Sequence, residues 1–151
     1  MIRQILAVVD DSAAALCAAE LAIDLASVVG AGLTLVTVVE DHVLDARLGA
    51  ASIPEAAERR VQGAVAMMTR ITARASRRGL RTHQEILSGR GAEQVLATAV
   101  RSAADLIVVG RDPGGNASVN LAHLLEFTGV PVLVVPAGGR GAGSAVTYSG
   151  T

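Results

Sequence analysis

The segment from Val109 to Leu125, VGRDPGGNASVNLAHLL, combines the residue types that hold phosphate groups in proteins. An apolar run stops at Gly110, a loop rich in Gly, Pro and Asn follows, and an apolar stretch of helical period comes next. Glycines let backbone N–H groups approach phosphate oxygens closely, and the start of a helix favours an anion. The segment therefore predicts an anion-binding loop, and its length decides how large an anion the loop can surround.

Two carboxylates, Asp10 and Asp11, follow the first apolar run of the chain. Such a pair resembles the magnesium-binding acids of phospho-receiver domains. A receiver domain also needs an acceptor Asp after its third strand and a Lys after its fifth, whereas here the third predicted strand ends in LSG and the chain has no Lys. We therefore interpret Asp11 or Ser12 as the cap of the following helix, and we keep Asp10, at the strand tip, as a candidate ligand-binding residue.

Other reactive residue types give weaker signals. GRGAEQ, which begins at Gly89, matches only part of a dinucleotide fingerprint and follows the third predicted strand, so we interpret it as a tight strand-to-helix turn. The three histidines lack ligand spacing, which predicts no metal site, and the single cysteine, Cys17, is interpreted as a small core residue. No nucleophile elbow or triad order is present, so we predict no catalytic residues and no enzyme activity.

Composition narrows the function classes. The chain has 151 residues, 51% of them hydrophobic but only 1% aromatic, which favours one domain with an aliphatic core. Its net charge of −1 and its lack of aromatic stacking groups argue against a nucleic-acid partner. No apolar run approaches the length of a membrane span and no leader pattern precedes the first strand, so we expect a cytoplasmic protein without a membrane partner.

Five short apolar runs alternate with segments of helical period. The runs are QILAVV, LTLVTVVE, LRTHQEILSG, DLIVVG and VPVLVVP, and such runs are typical of strands in a parallel sheet. Four helical segments separate them, over about 13–29, from Pro54 onward, over about 92–104 and over about 118–128. This alternation predicts an α/β fold: a single doubly wound, five-stranded parallel sheet, Rossmann-like, with helices on both faces. The third helix is expected to turn Val95, Leu96, Ala99 and Val100 inward.

The ligand site is expected at the carboxyl edge of this sheet, because ligands of open α/β folds bind where the strand order reverses. Residues at the carboxyl ends of the predicted strands include Val9, Asp10, Val38, Glu40 and Gly110. We place the domain at residues 1–137, with a loop over 41–53. The Gly- and Ser-rich residues 138–151 are predicted to form a flexible tail.

Over about residues 2–136 the chain resembles the universal stress protein (UspA) family. ILAVVDDS is similar to its opening strand, which ends V-D-x-S, and EILSGRGAEQVLATAVRSAADLIVVG is similar to its strand, turn, helix and A-D-L-I-V-M-G strand. VPVLVVP is similar to its last strand, with Val130 in place of Cys. The resemblance implies the strand order 3-2-1-4-5, a homodimer formed through the fifth strand from Val130 to Val135, and a role in stress response.

One branch of that family binds ATP through the pattern G-x2-G-x9-G-[S/T] after the fourth strand, and another branch does not. Gly110 matches the first Gly, but Pro113 stands at the second position with Gly114 displaced by one, and Ala117 replaces the Gly before Ser118. The loop is also several residues shorter. A shorter loop presents fewer amides, so three hypotheses stay open: intact ATP binding, weaker binding of AMP, ADP or another adenosine compound, and no nucleotide binding.

The adenosine side of the pocket is better retained. By resemblance, Val9, Asp10 and Val38 would contact adenine and ribose, with the Asp10 carboxylate accepting from a ribose hydroxyl. Gly110 and Gly114 are what remains of the phosphate loop.

Two polar residues of the same segment have two interpretations. Asn116 and Ser118 would hold one phosphate, or one of them would cap the last helix. From the whole sequence we predict a binding or signalling module for an adenosine nucleotide, without a structural metal. The alternative is a nucleotide-independent dimer that acts through protein–protein contacts.

Overall fold

The computed structural model describes residues 1–39 and 53–138, with the side chains of 53–57 excepted. Glu40, residues 41–52 of the loop predicted over 41–53, and residues 139–151 of the tail predicted over 138–151 lie outside the described residues. Ile53, predicted as the last residue of that loop, begins a helix.

Strands and helices alternate along the described chain. Their order is β1 (Gln4–Val8), α1 (Ala13–Val29), β2 (Gly32–Val39), α2 (Ile53–Arg77), β3 (Thr82–Ser88), α3 (Gly91–Arg101), β4 (Leu106–Arg111), α4 (Leu121–Phe127) and β5 (Val132–Pro136). The five strands form one parallel sheet in the order β3-β2-β1-β4-β5. The predicted α/β class and strand order are therefore confirmed.

Each face of the sheet carries its own core, because successive side chains of a strand point to opposite faces. Ile5, Ala7 and Val9 pack with α1 and α2, whereas Leu6 and Val8 pack with α3 and α4 on the other face. The chain runs outward from β1 to β3 and then returns to β4, and right-handed crossovers place the helices of the two directions on opposite faces. The sheet is doubly wound, and its order reverses between β1 and β4.

The first helix begins and ends at residues that suit those positions. Ser12 Oγ accepts a hydrogen bond from the Ala15 N–H at 3.1 Å, so Ser12 rather than Asp11 is the N-cap of α1. Gly30 ends the helix with φ +73°, a left-handed conformation that glycine adopts readily. The buried face of α1 consists mainly of alanines, which let the helix lie close to β1 and β4.

The last helix is shorter than predicted. It begins at Leu121 and not near Ser118, because Asn120 is its N-cap and accepts from the His123 N–H at 3.1 Å. The interpretation of Asn116 or Ser118 as its cap is therefore wrong. The strand that follows begins at Val132 rather than Val130.

The buried face of α3 also differs from the prediction at one position. Val100 is 82% exposed, whereas Thr98 is fully buried. The Thr98 hydroxyl donates to the Gln94 carbonyl at 2.8 Å, which satisfies its hydrogen-bonding group inside the core. None of the helices in the described ranges is long and apolar enough to cross a membrane.

Candidate functional site

A cavity of about 250 Å³ opens at the carboxyl ends of β1 and β2, beside the point where the strand order reverses. This is where ligands bind in open α/β sheets. Three predicted residues, Val9, Asp10 and Val38, line it together, and Ser118 reaches it from the segment after β4. The other three predicted site residues, Gly110, Gly114 and Asn116, do not line this cavity.

Val9 contributes apolar surface rather than a polar contact, because its backbone N–H and carbonyl groups both form hydrogen bonds within the protein. Its N–H donates to the Val36 carbonyl at 2.8 Å, and its carbonyl accepts from the buried Thr37 hydroxyl. The Val9 side chain is 1% exposed and belongs to the core. Val38, half-buried, adds a second apolar side chain on the neighbouring strand.

Asp10 joins the three segments that meet at the cavity. One carboxylate oxygen, Oδ1, accepts from the Ser12 N–H at 2.8 Å, at the start of α1. The other, Oδ2, accepts from the Ser118 hydroxyl, which lies 108 residues further along the chain. A carboxylate offers about four lone-pair sites, so the group keeps capacity for a further donor. Asp10 and Ser118, predicted separately as site residues, are thus brought together and bond to each other.

Gly110 lies where β4 passes the first turn of α1. A Cβ built on Gly110 would fall 2.8 Å from the Ala15 nitrogen and closer still to the Ala14 carbonyl group. Carbon atoms in ordinary contact are about 3.5–4.0 Å apart. The absence of a side chain at this position therefore serves close packing between the strand and the helix.

The loop after β4 is a closed turn. The Asn116 N–H donates to Asp112 Oδ1 at 2.8 Å, the Asn116 side-chain amide donates to Asp112 Oδ2 at 3.1 Å, and the Asp112 N–H donates to the Asn116 carbonyl at 2.8 Å. These bonds from Asn116 hold the pKa of Asp112 below its usual range. Arg111 and Ala117 pair as an antiparallel bridge beyond the turn. Asn116 therefore stabilises the loop, and it does not lie at the N-terminus of a helix, where it was predicted to hold a phosphate.

Helix α2 supplies cavity residues that sequence reasoning missed. Arg60 and Ala64, one helical turn apart, line the cavity together with the residues at the end of β1. A Cβ built on Gly63 would lie 3.5 Å from the Cβ of Asp11, so the helix backbone passes close to the loop after β1. The i, i+4 spacing of Arg60 and Ala64 shows from sequence that they share a face, but only the fold shows what that face covers.

The described residues contain no group of three or more His, Cys, Asp or Glu side chains that could hold a metal ion. Asp10 and Asp11 stand together at the end of β1, without a third ligand in that part of the chain.

A parallel sheet ordered 3-2-1-4-5, with a cavity at its carboxyl edge, defines a doubly wound α/β domain. The sequence model of the universal stress protein family matches residues 1–136, and the chain belongs to this family. No curated protein matches the sequence significantly.

Solved structures share the fold. A protein of the universal stress protein family from Burkholderia pseudomallei has 24% identity and a TM-score of 0.72, with 90% of this chain and 97% of that chain covered. A universal stress protein in complex with cAMP has 20% identity and a TM-score of 0.68, with 90% and 98% covered. A universal stress protein family protein from Arabidopsis thaliana with AMP bound has 13% identity and a TM-score of 0.68, with 91% and 93% covered.

Proposed function

We propose that this universal stress protein domain is a binding or signalling module of the stress response that takes an adenosine nucleotide in the Asp10 cavity. The observation that carries the proposal is the position of the Asp10 carboxylate. It lies at the tip of β1, at the edge of the reversal point, between the apolar walls of Val9 and Val38. The two similar structures that hold cAMP and AMP support the ligand class.

The geometry suits a nucleoside better than a polyphosphate. Val38 and Ala64 offer apolar surface to a base, and Asp10 offers a charged acceptor to a ribose hydroxyl. The volume of about 250 Å³ lies just below the range of roughly 300–1,000 Å³ that is usual for small-molecule pockets. We therefore expect the nucleoside part to enter the cavity and the remainder to lie across its mouth.

The proposal is for binding without catalysis. The described residues around the cavity include no histidine or cysteine that could act as a general base or nucleophile. Asp10 already accepts two hydrogen bonds, from Ser12 and from Ser118, which favours a positioning role over proton transfer. The cytoplasmic location expected from the sequence stays a prediction.

Calorimetric titration with AMP, ADP and ATP tests the proposal. Asp10→Asn keeps an oxygen for the Ser12 N–H but removes the charge, so we expect AMP affinity to fall about tenfold or more, as a hydrogen bond to a charged group is worth about 1.5–3 kcal/mol. Glu126→Ala, at an exposed acid of α4, is the control and should bind like the wild type. Absence of binding to all three nucleotides by the wild type would show the proposal to be wrong.

The alternative is a nucleotide-independent dimer, and the free edge of β5 favours it. Among the described strands, β5 pairs only with β4. The Ile107 N–H donates to the Pro131 carbonyl and the Ala137 N–H to the Arg111 carbonyl, so odd-numbered residues of β5 pair inward. Val132 and Val134 therefore direct their backbone groups outward, and an apolar strand with such an edge is prone to pair with a second copy.

Val134→Pro tests that dimer. It removes an outward N–H, while proline is tolerated on an edge strand. We expect the variant to sediment as a monomer and Val134→Ala, which keeps the N–H, to stay dimeric. A wild type that is monomeric at micromolar concentration would contradict dimerisation through β5.

A further inference from the structure

We propose that Arg60 binds the phosphate of a nucleoside monophosphate, and that the site selects such a ligand over a nucleoside triphosphate. The inference rests on the proposed function, because it names the ligand's charge and the residue that meets it. Three observations carry it: three N–H groups of the loop after β4 bond within the loop, that loop carries a negative charge, and the side chain of Arg60 lines the cavity.

The loop after β4 cannot offer its amides to a phosphate chain without breaking its own turn. The N–H groups of Asp112, Gly115 and Asn116 all donate to acceptors inside the loop, at 2.8, 3.0 and 2.8 Å. Ser118, at its far end, donates its hydroxyl to Asp10. Opening the turn would break these hydrogen bonds, and the freed groups would need new partners. This cost lowers the affinity for any ligand that requires an open turn.

The charge of the loop also opposes a polyphosphate. Asp112 places a carboxylate in the turn, and its bonds from Asn116 favour the charged form. Asp10 and Asp11 line the cavity together with Arg60, so their charge acts on any phosphate bound there and the Arg60 guanidinium offsets it. The carboxylate of Asp112 makes the difference between the ligands: a triphosphate laid along the loop would meet it, whereas a single phosphate turned toward α2 would avoid it.

Arg60 is placed to receive that single phosphate. Arg60 is exposed, lines the cavity and makes no hydrogen bond or ion pair with any residue that the structure describes. By contrast, Arg74 on the same helix is paired with Glu20, and Arg78, just after the helix, is paired with Asp24. The planar guanidinium donates two parallel hydrogen bonds to phosphate oxygens, which suits this role.

The test compares adenosine, AMP and ATP by calorimetry on the wild type, Arg60→Ala and Arg59→Ala. Arg59 is the matched control, because it is an exposed arginine on the adjoining position and does not line the cavity. Thermal unfolding checks that each variant is folded. We expect the wild type and Arg59→Ala to bind AMP about tenfold more tightly than adenosine, and Arg60→Ala to bind the two about equally.

Two further readouts sharpen the result. The advantage of AMP over adenosine should shrink as salt is raised, because an exposed ion pair is screened. ATP should bind no more tightly than AMP in the wild type. An AMP advantage that survives in Arg60→Ala, or tighter binding of ATP than of AMP, would overturn the inference.

The outcomes also separate the inference from the proposed function. Binding of adenosine by the wild type without any gain from the phosphate would overturn the role of Arg60 and leave the nucleoside site standing. No binding of adenosine, AMP or ATP would overturn both.

Discussion

Replacing Gly110 by alanine distinguishes a packing glycine from a phosphate-loop glycine. The new Cβ would lie 2.8 Å from the Ala15 nitrogen and nearer to the Ala14 carbonyl group, an approach that is about 0.7 Å or more inside ordinary contact. Both opposing groups are backbone atoms in the first turn of α1, so no rotation of a side chain relieves the overlap. Strand and helix must move apart at a point where the core is fully buried.

The expected cost follows from this overlap. Overpacking a well-packed core costs about 1–3 kcal/mol, and a clash with backbone belongs at the upper end, about 3 kcal/mol. For a domain of this size, about 2–4 °C of melting temperature is lost per kcal/mol, which gives a decrease of about 6–12 °C. Urea unfolding should show a lower midpoint with an unchanged slope.

Two glycines of the same chain provide controls. Gly129 has nothing within 4 Å of a built Cβ, so Gly129→Ala should change stability by no more than about 0.5 kcal/mol. At Gly114 the nearest atoms are Asp112 Oδ1 at 3.3 Å and Asn116 Nδ2 at 3.4 Å, which bond within the turn, so the cost of Gly114→Ala should lie between those of Gly129→Ala and Gly110→Ala. Equal stability of Gly110→Ala and Gly129→Ala would refute the packing argument.

Three further predictions concern single polar contacts. Asn120→Ala removes the N-cap of α4 and should lower the free energy of unfolding by about 1 kcal/mol in urea, with Asn120→Asp close to wild type. Ser118→Ala removes the hydroxyl that donates to Asp10 and should cost about 1–2 kcal/mol in the same assay; no loss would mean that this bond does not hold the loop. Asp105 has its pKa lowered from 3.8 by backbone N–H groups at the start of β1, so its contribution is full above that pH and is lost as pH falls through the lower folded value. Asp105→Asn should therefore flatten the loss of stability in acid titrations below about pH 4, and an unchanged acid profile would contradict it.

The fold could be predicted because its signals are local. Apolar runs buried on both faces marked the strands, and the caps of α1, Ser12 and Gly30, lie beside the residues they serve. The strand order came from the resemblance of ordered motifs, since right-handed crossovers restrict topologies without choosing among them. Val100 was misplaced because Thr98 is polar by type, yet its hydroxyl bonds within the helix and is buried.

The site could be predicted only in part because its contacts join distant segments. Val9, Asp10 and Val38 lie at the carboxyl ends of neighbouring strands, so the sheet alone brings them together. Ser118 was interpreted as a helix cap or phosphate ligand because its true partner, Asp10, lies 108 residues away. Arg60 was missed because its approach depends on how α2 packs, which no short motif encodes.

The glycine after the fourth strand has two uses that sequence cannot separate. Packing against the Ala14 carbonyl group requires Gly110 whether or not a phosphate binds nearby. Gly110 would therefore still match a phosphate-loop pattern in a loop that is too short to surround a phosphate chain. In this loop, amides of Asp112 and Asn116 form hydrogen bonds within the turn. The direction and occupancy of the loop amides, rather than the number of glycines, therefore decide what charge the ligand can carry. That criterion favours a ligand with its single phosphate on α2.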